Sequence, residues 1–332
     1  MRYILGIETS CDDTAASVIQ EDGTILSNVL SSQNAFHSKY GGIVPEIASR
    51  KHLELISYVV KEACDLASLS LSRLDLLAVT YGPGLVGSLL IGVDYVKALQ
   101  VALNKPFVGV NHLEGHLLSP FLENPSIEFP FLGVVVSGGH TVFLLVSDFG
   151  EYQKVAETID DACGEALDKF GKMLSIPYPA GPLIEKIAKA GNPKAYPFTM
   201  PIIRDNFYGL SFSGFKTAAS QLIKNIPMEQ LTERTPDLAA SYQDVLFRQL
   251  LRMIHRILDK HRVTCVAVSG GVSANRTMYE MFSSKIPLPV YFPSKLLSTD
   301  NAGMIAFAGW KKFLRKGADS LALPVLSRLD IG

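Results

Sequence analysis

Two histidines four residues apart, in the run His112-Leu113-Glu114-Gly115-His116, are the residues most able to do chemistry in this chain. On a helix, an i, i+4 pair projects to one face with side chains about 6 Å apart, which suits two ligands of one metal ion. A zincin protease needs its glutamate directly after the first histidine; here Glu114 stands one place late and points away from such an ion. A third ligand has to come from elsewhere. Asp300, at an expected helix start in Ser298-Thr299-Asp300-Asn301, is the best candidate.

A second kind of chemistry lies in paired glycines. In Val136-Ser137-Gly138-Gly139-His140-Thr141 the glycines let backbone N–H groups approach a phosphate, and the hydroxyls add donors. The pattern returns as Ser269-Gly270-Gly271-Val272-Ser273-Ala274-Asn275, where a strand, two glycines and a helix follow in the usual nucleotide order. Asn275 reads either as the helix N-cap or as a ligand contact. In the acidic run 160–169, Asp161, Glu165 and Asp168 fall on one expected helix face, with Asp168 placed for a ribose or another polar group. Gly181, in Tyr178-Pro179-Ala180-Gly181-Pro182, leaves room for a ligand. Arg248, Arg252, Arg256 and Lys260 recur every fourth residue along an expected helix 238–261, a basic stripe that suits RNA.

These residues need a framework. The chain opens with strands at 3–9 and 14–20 around a turn at 10–13, then a third strand at 24–31. A helix at 46–66, a buried strand at 76–81, a helix at 85–103 opened by Gly82-Pro83-Gly84, and a strand at 107–110 lead into His112. The helix at 85–103 carries Asp94 and Lys97, and reads as a buried helix rather than a membrane span. After a Pro-bearing hinge at 120–130 the opening pattern starts again. Leu5, Gly6, Ser10 and Thr14 are matched by Leu132, Gly133, Ser137 and Thr141, each 127 residues later. A β-hairpin recurring at domain spacing implies two α/β lobes related by duplication, with glycine turns facing each other across a phosphate-binding cleft.

Composition agrees with two lobes. A chain of 332 residues corresponds to about two domains. With 48% hydrophobic and 19% charged residues it is not a disordered chain. A net charge of −1 excludes coating of nucleic acid through bulk charge, though not a local basic patch. Cys11, Cys64, Cys163 and Cys265 form no Cys-x-x-Cys pair, and the first residues meet Glu8, Asp12 and Asp13 too early for a signal peptide. Both features point to the cytoplasm.

Seven motifs, taken in order, closely resemble the bacterial TsaD family over nearly the whole chain. They are Ile7-Glu8-Thr9-Ser10-Cys11-Asp12, Gly82 to Gly87, Asn111 to His116, Val136 to Thr141, Ser211-Phe212-Ser213-Gly214, Gly270 to Asn275 and Thr299-Asp300-Asn301. The resemblance implies an α/β, two-lobed fold of the actin, sugar kinase and Hsp70 type (ASKHA), with duplicated RNase H-like lobes and an interlobe cleft. One lobe would hold residues 1–125 plus 296–332, and the other 126–295. It implies an enzyme that moves the threonylcarbamoyl group of threonylcarbamoyl-adenylate to the exocyclic amine of the adenosine 3′ of the anticodon, in tRNAs reading codons that start with adenine. Carried over by position, His112, His116 and Asp300 would hold one divalent metal, Fe2+ ahead of Zn2+. Val136, Ser137, Gly138, Gly139, His140, Asp168, Gly181, Glu185 and Asn275 would bind the adenylate. Glu8 or Asp12 would orient the attacking amine or take its proton. Implied partners are the tRNA anticodon loop, a paralogous non-catalytic ASKHA subunit and a small P-loop ATPase, with no membrane.

The chain departs from the family where Ala180 replaces a usual glycine, where Asp13 stands for a frequent Glu, and where Glu185 stands for a frequent Asp. The rival reading is a regulatory or scaffold actin-like ATPase without transferase chemistry. It fits the glycine turns but not the imidazoles, because a nucleotide-bound Mg2+ prefers carboxylates.

Overall fold

The computed structural model describes residues 1–200 and 209–331. Strands β1 (Tyr3–Glu8), β2 (Asp13–Gln20) and β3 (Ile25–Ser32) form an antiparallel meander. β1 also pairs in parallel with β4 (Leu76–Gly82), and β4 with β5 (Phe107–Asn111), giving the order β3-β2-β1-β4-β5. The parallel strands are apolar on both faces because both faces are covered. The helix Pro45–Leu66 buries Ala48, His52, Ile56, Val59, Val60 and Ala63, a three-to-four spacing that puts one stripe on the core. The helix Ala302–Lys316 packs on β1, β2 and β4. Its close approach needs Gly6 bare, since a Cβ there would overlap the Ala302 carbonyl and the Ala306 nitrogen.

The second sheet contains β6 (Phe131–Val136), β7 (Thr141–Asp148), β8 (Glu151–Thr158), β9 (Gly209–Leu210), β10 (Val266–Ser269) and β11 (Val290–Tyr291). Its order is β11-β10-β6-β7-β8-β9. The duplication read from spacing holds in the register. Gly6 faces Ser17 on one side and Ala78 on the other. Gly133, 127 residues on, faces Leu144 and Ala267. The short edge strand β9 has no counterpart in the first sheet. The core behind the second sheet is aromatic, with Tyr242 stacked on Phe170 at 4.0 Å and meeting Phe198 edge-on.

Two compact units result. One contains Met1–Ile127, Ser147–Tyr152 and Pro293–Gly332; the other contains Glu128–Val146 and Gln153–Phe292.

Three expectations need correction. The helix with the basic stripe runs Met228–Leu258, not 238–261; it continues through Pro236, which reads in sequence as a stop, and it ends before Lys260. Asp161 is not on a helix face with Glu165 and Asp168, because that helix spans Cys163–Met173. Finally, the helix Val86–Leu103 is buried along one side only. Ser88, Leu89, Gly92, Val93 and Val96 are buried, while Val86, Leu90 and Val101 are exposed.

Candidate functional site

β5 runs directly into the helix His112–Leu118, whose N-cap Asn111 accepts the Leu113 N–H at 2.9 Å. This places His112 and His116 one turn apart and buried, with ring centroids 4.7 Å apart and nearly perpendicular. Asp300 reaches them from just before the helix Ala302–Lys316. Its Oδ1 lies 3.0 Å from His116 Nε2 and 3.6 Å from His112 Nε2. Neighbouring Asn301 caps that helix on the Met304 N–H and donates to the Thr299 carbonyl, which fixes the peptide around Asp300. One donor atom from each of the three residues lies within 4.8 Å of the others.

Glu8 stands behind His112. Its Oε2 is 3.0 Å from His112 Nδ1 and accepts from the Thr80 hydroxyl at 2.6 Å, while Oε1 accepts the Ser10 N–H at 2.5 Å. Burial alone would raise its pKa, but the His112 charge and hydrogen bond hold it below the usual carboxylate range. Burial opposes protonation of His112 too, yet Glu8 and Asp300 push it up to about 9. With both oxygens committed, Glu8 is not placed to take a proton from an attacking amine; it acts on the imidazole. Asp12 keeps a partly exposed carboxylate, raised by burial and then by Asp300.

A metal fits this set. Glu8 engages His112 at Nδ1 and so directs Nε2 toward Asp300, the outer-carboxylate arrangement of metal-bound imidazoles. Two imidazoles and one carboxylate suit Fe2+ or Zn2+ better than Mg2+. Glu114 faces elsewhere, accepting the Tyr152 hydroxyl at 2.8 Å. It lines a separate cavity of about 420 Å³ with Tyr81, Lys311, Lys312 and Lys316, which contains none of the three donors.

Asp13, at the start of β2, is raised to about 7, first by burial and further by the Asp300, Asp12 and Glu8 charges. An acid whose folded pKa exceeds its unfolded value adds stability below the unfolded pKa and loses it as pH rises through the folded one. The Asp13 contribution to the stability of the metal-free protein is therefore lost between about pH 4 and pH 7. Asp13→Asn removes the loss, and should be more stable than wild type by about 2 kcal/mol, or about 5 °C in melting temperature, at neutral pH and above. Melting curves of chelator-treated protein should show the gap widening from about pH 4.5 to pH 8; a gap independent of pH would count against it.

In the second unit the glycine turns meet. The Ser137 N–H donates to the His140 carbonyl at 2.8 Å, and the His140 N–H to Ser137 Oγ at 3.1 Å, which closes the Ser137–His140 turn. Gly138 and Gly139 are exposed, and a Cβ on either would touch nothing in the protein. Gly164 presses on the Ser137 carbonyl and Gly138, and Gly270, at φ +88°, presses on the Val136 carbonyl. Asp168 accepts the Ala180 N–H at 2.7 Å and so holds the turn before Gly181, the first residue of the helix Gly181–Ala188. The departure at Ala180 is accommodated because its methyl packs where Gly171 has no side chain.

Glu185 accepts the Arg276 N–H at 2.9 Å. Asn275 is the N-cap: its Oδ1 accepts from Thr277 and Met278, and its Nδ2 donates to Gln243 at 2.8 Å. Two groups outside the sequence-derived set belong here. The Ser269 and Ser273 hydroxyls flank Gly270-Gly271, are buried, and have no hydrogen-bond partner among the described residues. Their signal was in the repeated Ser-Gly-Gly run. On the basic stripe, Arg248 pairs with Asp244 at 2.6 Å; Arg252 and Arg256 are half-buried, and Lys260 is exposed beyond the helix end.

The TsaD family, described as tRNA N6-adenosine threonylcarbamoyltransferase, matches residues 24–307. A protein of that name from Thermodesulfovibrio yellowstonii is 48% identical over 334 residues, covering 99% of each chain. One from Carboxydothermus hydrogenoformans is 45% identical, covering 100% of this chain and 98% of its own. Among solved structures, T. kodakarensis HypF superposes with a TM-score of 0.63 at 15% identity, over 94% of this chain and 47% of that one. Component A of the Acidaminococcus fermentans (R)-2-hydroxyglutaryl-CoA dehydratase gives 0.56 at 13% identity, over 95% and 100%. These likenesses place the α/β chain among the actin-like ASKHA folds.

Proposed function

The chain belongs to the TsaD family of tRNA N6-adenosine threonylcarbamoyltransferases, and from that premise we propose how its residues divide the work. The enzyme transfers a threonylcarbamoyl group to the exocyclic amine of the adenosine 3′ of the anticodon. The donor is threonylcarbamoyl-adenylate. The bond from the carbamoyl carbon to the phosphate oxygen breaks, a bond to the adenosine nitrogen forms, and AMP and the amine proton leave.

His112, His116 and Asp300 hold the divalent ion, with Fe2+ preferred over Zn2+. When bound it supplies Lewis acidity and a template for the threonylcarbamoyl group. Glu8 fixes the His112 ring. Asp12 remains the carboxylate able to receive the amine proton. Backbone N–H groups of Gly138 and Gly139, with the Ser137, Ser269 and Ser273 hydroxyls, stabilise the phosphate of the leaving AMP. Asp168, Glu185 and Asn275 set the surrounding helix starts. The target base comes from a single-stranded loop, where it can be splayed out without breaking a duplex.

Partner binding completes the enzyme. The helix Pro45–Leu66 exposes Leu53, Tyr58 and Leu66, and the adjoining helix Val86–Leu103 exposes Val86, Leu90 and Val101. These exposed apolar side chains, set among charged ones such as Glu54 and Lys61 on the first helix, mark an interaction site, and its occupant is the paralogous non-catalytic ASKHA subunit. The P-loop ATPase joins that assembly. Arg248, Arg252, Arg256 and Lys260 contact the tRNA backbone, weakly in the isolated chain because its net charge is −1. The assembly works in the cytoplasm, where its tRNA substrates are, and all four cysteines are free thiols.

The observation that carries this reading is the set of three convergent donors backed by a buried carboxylate. The test combines the chain, its paralogue and the ATPase with threonylcarbamoyl-adenylate and tRNA, and measures modified adenosine by mass spectrometry. Modification should vanish with a chelator and return with Fe2+. ATP hydrolysis by the chain alone, with no modified base formed in the full mixture, would favour the scaffold ATPase.

A further inference from the structure

The turn beside the metal donors is held by the buried sides of the same two helices that expose Leu53, Tyr58, Leu66, Val86, Leu90 and Val101. His52, on the helix Pro45–Leu66, is fully buried, and its Nε2 lies 3.0 Å from the Cys11 carbonyl. A carbonyl only accepts, so Nε2 carries the proton and Nδ1 accepts, from the Thr14 hydroxyl at 2.8 Å. Burial lowers the His52 pKa, in keeping with a neutral ring.

The chain of donors extends backwards. The Val44 N–H, at the N-cap of the same helix, donates to His37 Nδ1 at 3.3 Å. His37 Nε2 then donates to Gln33 Oε1 at 3.2 Å. Gln33 Nε2 donates to the Ala48 carbonyl at 3.4 Å and lies 3.5 Å from His52 Nδ1, while the Gln33 N–H donates to the Asp12 carbonyl at 3.0 Å. Gln33, His37 and His52 are all buried, and each bond is compatible with one tautomer of each ring. From the second helix, Ser88 Oγ also donates to the Cys11 carbonyl, at 3.4 Å, and the Leu85 N–H donates to the Ser10 carbonyl at 2.8 Å. Ser10 in turn touches His112 Nδ1 at 3.2 Å and donates its N–H to Glu8.

We propose that His52 is a positioning residue for the metal centre: its hydrogen bond to the Cys11 carbonyl sets the Ser10–Asp13 turn, and through it Glu8 and His112, and couples partner docking on the outer helix face to metal affinity. The positioning half stands on these distances alone; the coupling half rests on the docking reading given above.

The test uses the full-length chain and Co2+ as a spectroscopic probe, with hydrogen exchange at the Ser10–Asp13 amides as a second readout. His52→Ala should weaken Co2+ binding about tenfold and speed exchange in the turn. His52→Gln keeps an N–H donor for the Cys11 carbonyl and should restore affinity to within about threefold of wild type. If alanine at 52 does not fold, the isosteric Thr14→Val, which frees the His52 tautomer, should shift both readouts in the same direction. Unchanged affinity and exchange in His52→Ala, or a His52→Gln as weak as the alanine variant, would overturn the positioning role. A network that merely stabilised the helix would lower the urea midpoint without moving Co2+ affinity. For the coupling, addition of the paralogous subunit should tighten Co2+ binding by the wild type but not by His52→Ala, with both forming the complex. No complex with either protein would sink the docking reading; equal tightening in both would sink the coupling.

Discussion

Replacing His112 and His116 together by alanine should abolish Fe2+ and Co2+ binding and lower modified-base formation by about 10³-fold or more, the scale of several kcal/mol of lost transition-state stabilisation. The two imidazoles provide two of the three donors, and Asp300 alone cannot hold an ion against water. The variant also changes the metal-free protein. Without the His112 charge, Glu8 keeps only Ser10 and Thr80 as partners in a buried site, and burial then raises its pKa. A raised acid gives stability below its unfolded pKa and loses it as pH rises through the folded value. The double variant should therefore fall behind wild type in melting temperature as pH rises from about 4.5 toward neutrality. Wild-type turnover by the double variant would remove the metal from the reaction; a pH-independent stability difference would remove the Glu8–His112 ion pair.

What could be read in the sequence was what lies close along the chain or repeats along it. His112 and His116 share one helical turn, and Asp300 announces itself by the Thr-Asp-Asn at a helix start. The duplicated hairpin showed itself because glycine recurs where a helix or a neighbouring strand comes close, as at Gly6. Long-range partnerships left no such trace. Glu8 and His112 are 104 residues apart and meet only because β1 neighbours β4, and β4 neighbours β5. In the sequence Glu8 therefore reads as a carboxylate free for the attacking amine, where the fold makes it a support for an imidazole. Asp161 reads as a helical residue because Ala162, a poor capping residue, marks the true helix start. The same limit hid the outer face of Val86–Leu103: an apolar helix reads as buried whether its second side meets its own core or another chain.

Glu8→Gln separates charge from geometry at that support. Glutamine offers one acceptor oxygen where the carboxylate offered two: with Oε1 toward His112 Nδ1 and the Thr80 hydroxyl the ring should stay in place, but the Ser10 N–H loses its acceptor and the carboxylate charge is gone. The His112 pKa should fall from about 9 toward that of an ordinary histidine, and the imidazole becomes a weaker donor to the ion. Loss of an outer-sphere carboxylate typically costs about 10–100-fold in metal affinity, and Co2+ titration should show a loss of that size. Glu8→Ala should be worse, because the Ser10 N–H and the Thr80 hydroxyl lose their acceptor and the ring is free to turn. Saturating Fe2+ then decides between two roles for Glu8. A residue that only holds His112 is rescued by excess ion, and the variant regains turnover to within about tenfold of wild type. A residue that takes the amine proton is not rescued, and the variant stays slow by a general-base factor of about 10²–10⁴ however full the site. With both Glu8 oxygens already bound, the structure favours rescue.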